Sequence, residues 1–90
     1  GTLSPMSTPV HLHPHAAARL IERGIEEAEV IATVVGGERF QAKFGRSGFR
    51  RNFTFHGAWR GQSYATKKVE AYAVEEDDGW LVITVISRYF

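Results

Sequence analysis

Between Pro14 and Val35 the apolar residues recur at helical spacing, whereas from Arg39 onward they fall at every second position. The change of period divides the chain into a helical first part and a stranded second part. Ahead of both, residues 1–11 show no periodicity, and Ser4, Pro5, Ser7, Thr8 and Pro9 predict a loose lead-in, with a single domain over 12–90. Gly1 to Pro5 read as a tail preceding a native start at the only methionine, Met6. The first helix is expected from about His13, with Pro14 suited to its first turn and Gly24 placed to end it in a left-handed conformation. A second helix should span Glu26 to Val35, with acidic residues in its first turn and Gly36-Gly37 at its end.

Beyond Gly37, Phe40, Ala42 and Phe44 alternate with Arg39, Gln41 and Lys43, and Arg51 to Phe55 continue the alternation after a turn at Gly45 to Gly48. A third strand is expected from about Tyr64 to Glu75 and a fourth from Trp80 to Arg88, joined by a tight turn at Asp77-Asp78-Gly79. The fourth is apolar on both faces, so it belongs inside the sheet or beneath a helix. The predicted architecture is α+β: two N-terminal helices packed on a four-stranded antiparallel sheet.

At 90 residues and 43% hydrophobic content, one domain with one core is expected. The absence of cysteine removes disulfides and thiolate zinc sites, which suits a reducing cytoplasm. No run approaches the roughly 20 apolar residues of a membrane span, so a soluble protein without membrane contact is expected. No cofactor is expected either.

The net charge of +1 conceals an asymmetry. Between Arg39 and Lys68 there are eight Lys or Arg and seven of the eleven aromatic residues, while all ten acidic residues lie elsewhere. Lys43, Arg46, Arg50, Arg51, Arg60 and Lys68 are therefore candidates for binding nucleic-acid phosphates. Alternation turns Phe40, Phe44, Phe53 and Phe55 toward the core, which makes them filling rather than stacking platforms. The rival reading of the charges is neutralisation within the chain, by acids such as Glu70, Glu75 and Glu76.

His15, Arg19 and Arg23 follow one another at intervals of four and share a helix face, which offers either an imidazole beside two cations or a solvated surface paired with Glu22, Glu26 and Glu27. His11, His13 and His15 alternate and could meet on a metal if extended, but Pro14 should open a helix and turn His15 away, so no metal site is assigned. Thr84 interrupts the last apolar strand. Near Lys67 and under the helix bearing His15, its hydroxyl could bind a phosphate oxygen.

The run His13-Pro14-His15-Ala16-Ala17-Ala18-Arg19-Leu20-Ile21-Glu22-Arg23-Gly24-Ile25-Glu26 resembles the opening of the small bacterial proteins grouped as domain of unknown function 4258, and the likeness extends over Val10 to Phe90. That family in turn resembles small α+β ribonucleases of the barnase, EndoU, colicin and RelE-like toxins. The resemblance implies a metal-independent ribonuclease that cleaves RNA through a 2′,3′-cyclic phosphate. In it His15 would be general base or acid, Arg19 and Lys67 phosphate clamps, and Thr84 or Tyr89 a hydrogen-bond donor. A second catalytic histidine is not evident, unless His56 serves. RNA, and an acidic antitoxin or immunity protein, would be the partners. The alternatives are a non-catalytic cationic module binding nucleic acid or an acidic protein, and a self-associating regulatory protein.

Overall fold

The computed structural model describes residues 9–76 and 79–90. In it Pro14 occupies the first turn of α1 (Pro14–Arg23), and Gly24 ends the helix at φ 65°, where a side chain would be strained. Helix α2 (Glu27–Gly36) follows at once, its start held by the Glu26 N–H donating to Glu29 Oε1 at 2.9 Å. Both helices lie within a residue or so of their expected limits. None is long and apolar enough to cross a membrane among the described residues.

The sheet departs from the expected four antiparallel strands. It has five strands and is mixed, in the order β1-β5-β4-β3-β2. The added strand is β1 (Val10–Leu12), which pairs in parallel with the start of β5 (Gly79–Tyr89), Val10 opposite Trp80 and Leu12 opposite Val82. Strand β1 thus starts two residues ahead of the predicted boundary at residue 12. Three residues are too few to show a period, and their partner lies some seventy positions away, so no local pattern announces them. Strand β2 (Glu38–Gln41) pairs with β3 (Ser47–Trp59), and β3 with β4 (Gln62–Glu76), both antiparallel. Residues 1–8 of the lead-in and the predicted turn residues Asp77 and Asp78 lie outside the described residues; Glu76 pairs with Gly79 on either side of that turn.

The β3–β4 hairpin is longer than the alternation suggested. Arg60 and Gly61 both take positive φ, 53° and 83°, and Trp59 pairs with Gln62, so a two-residue turn of the twist-compatible kind closes it. Between Thr54 and Gly57 the register shifts, with His56 at φ 45°.

The pleat assigns the faces. Lys67, Val69, Ala71 and Ala73 of β4 alternate onto one face and are all buried, opposite Tyr89, Ser87, Val85 and Val82 of β5. That face carries the helices, α1 over β5 and α2 over β3 and β4, and the core is Ala16, Ile25, Val30 and Val34 against the strand residues and Phe49. On the other face Phe40 reaches across Gly48 to meet the Tyr72 ring edge-on, 5.8 Å between centroids; a Cβ at Gly48 would collide with the Phe40 ring. Phe40 is therefore not part of the helix-side core, contrary to the alternation argument.

Candidate functional site: a cationic cleft at the start of the first helix

β1 ends at Leu12, and the His13 N–H donates to Val82 O at 2.8 Å, so the chain leaves the sheet and enters α1 at a fixed point on the outer edge of β5. His13 is the N-cap residue. Its Nδ1 accepts the His15 N–H at 3.1 Å, and the two imidazoles stack with centroids 5.4 Å apart. With Nδ1 accepting, the neutral ring carries its proton on Nε2.

One turn apart along α1, His15, Arg19 and Arg23 then present a single row. Facing that row is a bulge in β5: Thr84 pairs with Tyr72 but Val82 with Ala73, which leaves Ile83 without a partner on β4. The third wall is Arg46, from the tight loop between β2 and β3 in which Ala42 N–H donates to Arg46 O at 3.1 Å. Together His13, His15, Arg19, Arg23, Arg46, Ile83 and Thr84 line a cleft of about 400 Å³. Two imidazoles, three guanidiniums and a hydroxyl converge there, with no carboxylate in the lining. Arg19 does contact Glu22, at 2.9 Å, but both side chains are more than half exposed, so the pair holds the guanidinium only weakly. Arg23 Nε is buried and has no hydrogen-bond partner among the described residues. A buried unmet donor costs about 1–3 kcal/mol.

The residues proposed from the sequence separate into two groups. His15, Arg19 and Thr84 meet in this cleft. Lys67 and Tyr89 do not. Lys67 is 3% exposed on the helix side of the sheet, with its ammonium bonded to Gly24 O and, at 2.6 Å, to Glu29 Oε1. The Tyr89 hydroxyl donates to Arg23 O at 2.9 Å, and its ring stacks on Trp59 with centroids 5.2 Å apart. Both hold the α1–α2 junction onto the sheet. His56 lies in the β3 register shift and does not line the cleft, and His11 sits in β1. Among the described residues no group of three or more His, Cys, Asp or Glu could hold a metal ion.

Of the phosphate-binding candidates, Arg46 lines the cleft and Lys43 lies in its loop. Arg50 is paired with Glu38, Lys68 with Glu70 at 3.3 Å, Arg60 donates to Glu22 O at 3.1 Å, and Arg51 donates to Ala32 O at 3.3 Å. Carboxylates of the same chain therefore neutralise three of the eight cations in the acid-free stretch, Arg50, Lys67 and Lys68, while Arg51 and Arg60 are held by backbone carbonyls that leave their charge uncompensated. The cleft takes Arg46 from that stretch and its other two guanidiniums from α1, outside it. Arg23 takes the place in the row that its spacing from His15 and Arg19 predicts, whereas His13 enters the sequence reading only as a metal ligand; the signal for its position is Pro14, which marks the first turn and makes the residue before it the N-cap.

Residues 12–87 match the family model described as domain of unknown function 4258. No curated protein and no solved structure matches the chain.

Proposed function

The chain belongs to the domain of unknown function 4258 family, whose description names no activity, and from the cleft we propose that it is a metal-independent ribonuclease. The observation that carries the reading is the set of two histidines, three arginines and Thr84 around one carboxylate-free cleft. Phosphodiester cleavage by an internal 2′-hydroxyl needs a base for that hydroxyl and positive charge around a phosphorus that passes through five-coordination. His15, exposed at the cleft mouth, takes the 2′-hydroxyl proton. The 2′-oxygen bonds to phosphorus, the bond from phosphorus to the 5′-oxygen breaks, and the leaving oxygen takes a proton from water, so that a 2′,3′-cyclic phosphate and a free 5′-hydroxyl remain. Arg19, Arg23, Arg46 and the His13 Nε2–H hold the non-bridging oxygens, and Thr84 donates from the opposite wall.

The reading requires RNA, since DNA has no 2′-hydroxyl to attack. The experiment is cleavage of end-labelled RNA in EDTA, beside DNA of the same sequence. Wild type should cut only the RNA and leave a cyclic phosphate. His15→Ala, folded by circular dichroism, should lose about 100- to 10,000-fold in rate. RNA binding without cleavage by wild type would sink the nuclease reading and favour a cationic binding module.

A further inference from the structure

The loop that supplies Arg46 also carries the side chain that alternation places most wrongly. Phe44 does not turn into the core: it is 88% exposed, and its backbone sits at φ 62°, a left-handed conformation that bulky residues rarely take. Gly45 follows at φ 70°, so two consecutive left-handed residues push the ring out of the loop. Strain of this kind in an exposed ring clusters at ligand clamps. The Arg46 guanidinium lies 5.9 Å from the ring centroid, and Lys43 precedes the ring in the chain.

Beneath the loop is a recess of about 430 Å³ lined in part by Phe40, Gln41, Phe44, Arg46, Tyr72 and Thr84. Its floor is the Phe40–Tyr72 edge-to-face pair. Arg46 and Thr84 line this recess and also the cleft of His13 and His15, so the two adjoin. The cleft is cationic and the recess aromatic with polar rims at Gln41 and Thr84. That alternation of phosphate-binding and ring-stacking surface matches one nucleotide of a single strand.

We propose that the recess is a nucleobase subsite, in which Phe44 stacks on an unpaired base of single-stranded RNA next to the phosphate held in the cleft. The proposal rests on the reading of the cleft as an RNA site. It selects single strands because a base within a duplex has both faces covered by its neighbours. It selects a nucleic acid over an apolar protein surface because the ring is flanked by Lys43 and Arg46 and the lining of the recess has no carboxylate.

The test uses two 2′-O-methyl RNA strands, which cannot be cleaved: one with all its bases, the other with abasic residues throughout. Affinities of wild type, Phe44→Ala and Phe44→Trp are read by fluorescence anisotropy at one salt concentration, with thermal melts as the fold control. Phe44→Ala should weaken binding to the complete strand about 5- to 150-fold, the worth of one base–aromatic stack, and leave the abasic strand unchanged. Phe44→Trp should restore the loss. Equal affinity of wild type and Phe44→Ala for the complete strand, or the same loss on both strands, overturns the subsite, as would a Phe44→Ala defect seen only with a protein ligand. Cleavage of unmodified RNA is scored separately. Base-dependent binding without cutting keeps the subsite and removes the nuclease assignment, whereas cutting with a Phe44→Ala variant that binds both strands like wild type removes the subsite alone.

Discussion

Lys67 separates a phosphate-binding role from a structural one, and Lys67→Met is the perturbation that does so. Methionine keeps the length and most of the apolar stem, so the change removes the ammonium while opening little space. Lost are the bonds to Glu29 Oε1, at 2.6 Å, and to Gly24 O. Breaking a buried ion pair by removing one partner costs about 3–5 kcal/mol, because the remaining charge is stranded. Here the low end applies. Glu29 retains the Glu26 N–H and its side chain is 19% exposed, and the Tyr89 hydroxyl stays beside the Gly24 carbonyl. The expected loss is about 3 kcal/mol, or a fall of roughly 12–24 °C in the melting midpoint of a domain this size. Urea denaturation followed through Trp59 and Trp80 emission should show a lower midpoint at unchanged slope. Adding Glu29→Met should recover much of the loss, since an apolar pair of similar volume avoids the stranded carboxylate. A loss below about 1 kcal/mol, or RNA binding that collapses while stability is intact, would refute the structural role and return Lys67 to the ligand.

Two further outcomes follow from the same packing. Gly24→Ala should destabilise by about 2 kcal/mol or more, since φ 65° is strained for alanine and the new Cβ would run into the Trp59 ring and the Tyr89 hydroxyl; an unchanged urea midpoint would contradict the described junction. Burial first, and then the hydrogen bond to Glu70 and its charge, raise the Tyr72 phenol above its ordinary value against the opposing pull of Arg88 and Arg50. The folded chain therefore keeps that proton to higher pH than the unfolded one. The contribution is complete below the ordinary phenol range, near about pH 10, and is lost as pH rises through the folded value. Wild type should accordingly lose stability more steeply than Tyr72→Phe above about pH 10, and parallel curves from urea midpoints across that range would exclude it.

Local neighbours decide a helix or a strand, and these elements were legible for that reason. Pro14 and Gly24 bracket α1, the acidic start and paired glycines bracket α2, and alternation marks the three long strands. Alternation also held an unused signal about the site: Lys67 shares its parity with Val69, Ala71 and Ala73, whereas Lys68 shares its own with Glu70 and Tyr72. The first lysine is buried with the apolar set, and the second faces out beside a carboxylate. Phe44 misled because parity holds only while the strand lasts, and β2 stops at Gln41.

By itself, then, the sequence determined two helices, an antiparallel run of three long strands and the row of His15, Arg19 and Arg23, because each depends on residues two to four positions apart. Tertiary structure alone decided that Val10–Leu12 joins β5 in parallel, that Glu29 meets Lys67, and that Arg46 and Thr84 close a cleft against α1. Those contacts join residues tens of positions apart, and their partners are chosen by register, by a bulge at Ile83 and by which face of the sheet must be covered, none of which leaves a repeating mark along the chain.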